Sequence, residues 1–327
     1  MVLYTAAVPR RHRPLLAALH GHAYTVGPRL WYGRKLNPPP SVRWETKLQD
    51  GDSAIAISGE LSEPQDAATL VLLMHGCGGT PNSHYIVLAA RHFFDRGYAV
   101  LRLAWRGADG SGEDLYHAAQ TAEVHAALAE PRFAKYKRIW LIGYSLGGHC
   151  MLHAAHQLRD PRVRGVAAIC PVLHLHKTNA AIDHGSRAFY RRYVLSGLIR
   201  SYTEMAKRGR GNAPDHAVRQ AKTFRDYDHL TVVPRYGFAS VDDYYDRACV
   251  SHVLHAIETP TLVVAARHDP MLPWQIAEAV RPRMSKAITF RWAERGGHAG
   301  FPRDLSIGED GPLGIEAQVE HWLLQQS

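Results

Sequence analysis

Three residues of this chain have the types and the chain order of a nucleophile, an acid and a base. Ser145 stands at the centre of Gly143-Tyr144-Ser145-Leu146-Gly147, a G-x-S-x-G directly after the apolar run Ile139–Ile142 and ahead of a helical stretch. A strand running straight into a helix forces a tight, strained turn, and flanking glycines leave room where a Cβ would clash. Such a turn lifts the hydroxyl above the sheet edge, beside the positive end of the following helix. The acid and the base should follow in that order. Asp269 lies in a short polar loop after the apolar run Thr261–Ala266, and His298 lies in Gly296-Gly297-His298-Ala299-Gly300-Phe301 after the next strand. Both positions fall beyond strand C-termini, on the edge where Ser145 emerges. His298 would take the serine proton and pass it to a leaving group, while Asp269 would hold the imidazole in the right tautomer. Asp183 and Asp246 are the rival acids.

A serine nucleophile also needs donors for the developing oxyanion. His75-Gly76-Cys77-Gly78-Gly79 follows the run Thr69–Met74, and the expected donors are the backbone N–H groups of Cys77 and Leu146. The Cys77 thiol is the weaker candidate, because nothing near it in sequence lowers its pKa. His75 reads as a turn-stabilising residue and His117 as a packed one. His149, His153 and His156 recur at helical spacing and His174-x-His176 follows a strand, but no HExxH accompanies them. A zinc site would also need carboxylate or thiolate company, so neither metal nor cofactor is expected. The glycines at 107–112 miss the dinucleotide spacing.

The elements that must position these residues follow from patterning. Val42–Leu48 and Ala54–Gly59, around the turn signal Asp50-Gly51, read as a hairpin. Strands over Thr69–Met74, Ala99–Leu103, Arg138–Ile142 and Val163–Ile169 alternate with helices over Ser83–Arg96, Leu115–Ala129 and Gly147–Leu158. That alternation predicts a parallel sheet covered by helices. It stops after Ile169 and resumes with strands over Thr261–Ala266 and Ala287–Trp292 and a helix over Ile315–Leu324. Four segments result: a basic arm (1–41), a first core part (42–170), a helical insertion (171–259) with helices near Arg187–Lys207 and Asp242–Leu254, and a second core part (260–327).

The 327 residues are 46% hydrophobic, ample for a large core, which excludes a disordered or disulfide-stapled chain. The four cysteines, Cys77, Cys150, Cys170 and Cys249, form no CxxC pair. With no secretory pattern in the opening residues, that usage points to a soluble cytoplasmic protein. Net charge is +9, six of it from Arg10, Arg11, Arg13, Arg29, Arg34 and Lys35 in a stretch without acids. No helix-turn-helix, RNP or zinc-finger pattern accompanies the charge, so a solvated arm is expected rather than a nucleic-acid partner; an anionic membrane surface is the other surface it would suit.

These motifs together resemble the α/β-hydrolase superfamily, and within it the YheT-like subgroup related to eukaryotic medium-chain acyl esterases and phospholipases. The resemblance rests on Asp50-Gly51-Asp52, His75-Gly76-x-x-Gly79 with Asn82-Ser83-His84-Tyr85, Arg106-Gly107, Leu115-Tyr116-His117 and Gly143–Gly148. It extends through Gly237-Phe238, Tyr244-Tyr245, Asp269-Pro270 and Gly296-Gly297-His298-x-Gly300-Phe301. The stretch His20–Thr25 and the residue Cys77 depart from the subgroup's pattern. The resemblance implies a mostly parallel eight-stranded sheet and a Ser145–Asp269–His298 relay that hydrolyses carboxylic esters of short to medium acyl chains without a cofactor. Two alternatives use the same residues differently: a phospholipase or acyltransferase, and a non-catalytic ligand-binding protein of this fold. The insertion would be a lid, with Phe189, Tyr190, Tyr193, Leu195, Leu198 and Ile199 facing either an acyl chain or the core.

Overall fold

Strands β3 (Thr69–Met74), β5 (Arg138–Tyr144), β6 (Val163–Ile169) and β7 (Thr261–Ala266) are nearly continuous apolar runs, and in the computed structural model almost every residue in them is buried. That is the signature of parallel strands covered on both faces. With β1 (Val42–Asp50), β2 (Ser53–Ser62), β4 (Ala99–Leu103) and β8 (Ile288–Ala293) they form one eight-stranded sheet in the order β1-β2-β4-β3-β5-β6-β7-β8. The β1–β2 and β2–β4 pairs are antiparallel and the rest parallel, as expected. The structure describes residues 13–32, 36–51, 53–185 and 187–326; Arg10, Arg11, Arg34, Lys35 and Asp52 lie outside them.

Two apolar layers cover the sheet. One holds Leu70, Leu72, Leu101 and Leu141 against α3 (Ala122–Ala129) and α4 (Leu146–Gln157). The other holds Val71, Leu73, Ile142 and Val264 against α2 (His84–Phe94) and α12 (Ile315–Gln325). Between β6 and β7 the described residues form the α-helices α5 (Leu175–Ile182), α6 (Arg187–Lys207), α7 (Asp215–Arg219), α8 (Phe224–Leu230), α9 (Val232–Tyr236) and α10 (Val241–Ala248). Of these, α6 has its expected bounds. The helix expected over Asp242–Leu254 ends as α10 at Ala248 and continues in two short 3-10 turns. Helix α11 (Trp274–Val280) follows β7.

Two segments differ from expectation. The helix expected from Leu115 starts at Ala122, because the chain before it spends its amides elsewhere. The Leu115 N–H donates to Asp114 Oδ1 and the Ala118 N–H to Tyr244 Oη, which draws Leu115 and Tyr116 into the core in a non-helical path. The stretch read as an arm contains the helix α1 (Arg13–Tyr32). Among the described residues no helix is long and apolar enough to cross a membrane.

One ion network ties the helical insertion to the sheet. Arg106, fully buried just past β4, meets Glu123 of α3 through Nε at 2.6 Å, Asp50 of the β1–β2 turn at 2.6 Å and Asp114 at 3.2 Å. Arg235 of α9 reaches Asp114 at 2.7 Å and Asp50 at 3.1 Å from the insertion side. Glu123 alone meets the buried Nε of Arg106, so its removal leaves that donor without an acceptor while Asp50 and Asp114 still balance the charge. Glu123→Ala is therefore expected to cost about 1–3 kcal/mol, read as a lower midpoint in urea unfolding. A loss under about 1 kcal/mol, the worth of an exposed pair, would contradict this role.

Candidate active site

The turn between β5 and α4 is strained as its sequence requires. Ser145 has φ 55° and ψ −119°, a left-handed backbone that a residue with a Cβ seldom adopts. Its close neighbours must be glycines: a Cβ on Gly143 would lie 2.2 Å from the Gly147 carbonyl oxygen. The serine is nearly buried, and Leu146 begins α4, so its N–H is among those a helix leaves without an internal acceptor.

The loop after β3 lies against this turn; a Cβ on Gly76 would be 3.0 Å from the Ser145 Cβ. The amides on either side of Cys77 are already engaged. Gly76 N–H donates to Tyr85 Oη at 3.0 Å, Gly78 N–H to Tyr116 Oη at 2.9 Å and Gly79 N–H to the Gly76 carbonyl at 3.1 Å. Burial pushes the Cys77 thiol up to about 12, with the Asp228 charge adding to it, so the sulfur stays protonated near neutrality. His75 is fully buried; burial lowers it to about 4, and its carbonyl accepts the Trp105 indole N–H at 3.0 Å. It braces the turn as a neutral ring.

Asp269 and His298, from loops 29 residues apart, meet with Oδ2 and Nδ1 at 2.7 Å. The other carboxylate oxygen accepts the Met271 N–H at 2.7 Å and the Leu272 N–H at 2.9 Å, which fixes the plane of the carboxylate. Both side chains are largely shielded, 2% and 9% exposed. The rival acids are occupied elsewhere: Asp183 pairs with Arg191 at 2.8 Å and Asp246 with His176 at 2.9 Å. His149 faces the Val172 and Ala248 carbonyl oxygens, and His153 also faces Ala248. His117 packs among the rings of Tyr236, Phe238 and Tyr244.

Two contributors escaped the sequence reading. The first is α1, which docks on both loops that carry the acid and the histidine. Thr25 Oγ1 accepts the His298 N–H at 2.8 Å and donates to the Gly21 carbonyl at 2.8 Å. A Cβ on Gly21 would stand 1.9 Å from the His268 carbonyl oxygen, next to Asp269, and one on Gly297 2.1 Å from the Gly21 oxygen. The glycines flanking His298 were the available signal, since glycine marks close backbone approach. The second is Asp228 of α8, a nearly buried acid that accepts the Tyr245 O–H at 2.7 Å. Burial raises its pKa to about 7 against the opposing Tyr245 hydrogen bond and Arg225 charge.

The comparisons with known proteins agree on the fold. The model of the alpha/beta hydrolase fold matches residues 69–301. The candidate esterase YheT of Escherichia coli (strain K12) is 26% identical over 326 residues, spanning 95% of this chain and 92% of that protein. The carboxylesterase of Bacillus subtilis (strain 168) is 24% identical over 70% of this chain and 83% of its own. The esterase Pf2001 of Pyrococcus furiosus superposes with a TM-score of 0.52 at 16% identity, covering 80% of this chain and 90% of that one.

Two outcomes follow from this geometry. Gly21→Ala should lift α1 from the Asp269 and His298 loops at a cost of about 1–3 kcal/mol. Gly27→Ala, with open space around it, should instead add up to about 1 kcal/mol of stability; thermal unfolding of the pair decides, and equal shifts would refute the docking. Because the native chain keeps the Asp228 proton up to about pH 7 while an unfolded carboxyl releases it near 3.8, native stability falls between those values as pH rises. Asp228→Asn should gain on the parent chain across that window, measured by urea unfolding at both ends. A pH-independent difference would exclude this account.

Proposed function

Because this chain belongs to the alpha/beta hydrolase fold family, we propose that the bond it hydrolyses is a carboxylic ester, attacked by Ser145 with Asp269 and His298 as its relay. The observation that carries the reading is the 2.7 Å contact between Asp269 Oδ2 and His298 Nδ1 on the sheet edge where Ser145 emerges. With Nδ1–H held by the carboxylate, Nε2 is left as the base for the serine proton. Ser145 Oγ attacks the ester carbonyl, and the oxyanion takes hydrogen bonds from the Leu146 and Cys77 N–H groups. Collapse expels the alcohol, which receives its proton from His298. Water activated by the same ring then releases the acid from the acyl-enzyme.

The acyl portion of the substrate belongs to the apolar cluster above this edge. Ile182, Tyr190, Val194 and Met271 are buried together, with Val26, Cys77, Phe224 and Leu272 packed against them. They come from α5, α6, α8, the loop after β3, the Asp269 loop and α1. We assign residues 171–259 as a lid whose inner face receives a short to medium acyl chain. The named relatives, an esterase candidate and a carboxylesterase, support the ester as the bond cleaved.

Ser145→Ala should fold normally and lose on the order of 10³-fold or more in turnover of p-nitrophenyl butyrate. Parent-like turnover in that variant, or failure of a fluorophosphonate probe to label Ser145 in the parent, would falsify the assignment. Ester exchange onto glycerol in preference to water would instead make the protein an acyltransferase.

A further inference from the structure

Behind the proposed relay lies a third side chain that the hydrolytic mechanism does not use. Cys170 follows β6, 2% exposed and with a left-handed φ of 45° that a residue with a Cβ seldom adopts. Its Sγ lies 3.8 Å from the Gly297 carbonyl oxygen. Ligand atoms of Cys170, Asp269 and His298 all lie within 4.8 Å of one another. A cavity of about 20 Å³ opens beside Cys170 and Asp269, with Leu173, Leu272 and Trp274 among its other lining residues. That is room for roughly one water-sized particle.

We propose that Cys170, Asp269 and His298 form a binding site for a soft divalent cation of the zinc class, and that the bound ion holds the relay inactive. Thiolate, imidazole nitrogen and carboxylate are each zinc ligands, and a water from the adjoining cavity would complete a site of three protein ligands and one solvent. In such a tetrahedron the donor atoms stand about 3.3–3.6 Å apart. Binding would open the 2.7 Å Asp269–His298 contact by about half an ångström and draw the thiol, within 4.8 Å of both, in toward the ion. Asp269 is held in place by the Met271 and Leu272 amides, so it offers Oδ2 without swinging away.

The step balances. The S–H bond of Cys170 breaks, its proton leaves to solvent, and a sulfur–metal bond forms. The His298 proton leaves Nδ1, which becomes a ligand, and is taken up at Nε2, so the ring stays neutral. One thiolate and one carboxylate neutralise the ion, which suits a shielded site. The loss of function is tautomeric: with Nε2 protonated, the ring has no lone pair for the Ser145 proton. The ion never has to touch the serine.

Cadmium titration of the intact protein, followed by the ultraviolet thiolate-to-cadmium absorption, tests the site directly. The parent chain should show a component saturating at one ion per chain. Cys170→Ser should lose that component, and His298→Gln, which retains all four cysteines, should weaken it by about tenfold or more. Absorption unchanged in either folded variant places the ion at another thiol and overturns the proposal. A second arm rests on the esterase reading: zinc should inhibit ester turnover reversibly to EDTA, and Cys170→Ser should tolerate at least about tenfold more zinc. Equal zinc sensitivity of the two would also overturn the site. A parent chain that binds cadmium as described but hydrolyses no ester would refute the esterase reading and leave the metal site standing.

Discussion

The left-handed backbone of Ser145 is the constraint around which the sheet edge is arranged. Such a conformation costs an L-residue roughly 1–2 kcal/mol, so the surroundings must impose it. They do so from both sides of the turn. Ser145 N–H donates to the Ile169 carbonyl at 2.9 Å, and the Ser145 carbonyl accepts the His149 N–H at 3.1 Å and the Val172 N–H at 3.4 Å. The turn is thereby fixed to β6, to its own helix and to the first residues of the insertion. A Cβ on Gly147 would lie 2.4 Å from the Met74 carbonyl oxygen, so α4 also lies directly on the end of β3. The loop carrying Cys77 begins there, and the serine and its proposed oxyanion donors share one backbone contact.

The same closeness joins the insertion to this edge. Gly197 of α6 meets Gly78 with no room for a side chain on either, while Arg235 of α9 is held by Asp50 and Asp114 on the sheet side. The His22 ring lies 2.6 Å from Tyr190 Oη through Nδ1, which links α1 to α6. A displacement of α6 therefore acts on the loop after β3, the apolar cluster and α1 together. The proposed lid and the proposed site are thus joined by packing rather than by a flexible hinge.

Legibility in the sequence followed the range of the forces involved. The strands β3 to β7 could be read because burial on both faces leaves continuous apolar runs, and the Ser145 turn could be read because its glycines are adjacent in sequence. The pairing of Asp269 with His298 was inferable only as an order along the chain; the 2.7 Å contact depends on where β7 and β8 end. The segment from Leu115 to Thr121 misled because its apolar spacing suits a helix, while the Asp114 carboxylate and Tyr244 hydroxyl claim its amides. Helix α1 was hidden for a different reason. Its basic, acid-free sequence resembles a solvated arm, and its docking rests on glycine backbone, Thr25, His22 and the apolar side chain of Val26, a set with no apolar periodicity to find. Asp228 likewise gave no local sign, since only its burial makes it unusual.

The docking of α1 also sets a schedule for the nascent chain. Thr25 and the His298 amide it receives are separated by 273 residues. At a synthesis rate of about 5–20 residues per second, the helix leaves the ribosome roughly 14–55 seconds before that partner does. Tyr190 and His268, among its other partners, are made earlier in that interval, and the His298 loop is the last of these surfaces to appear. The contact between α1 and the His298 amide therefore forms only after β8 has been made.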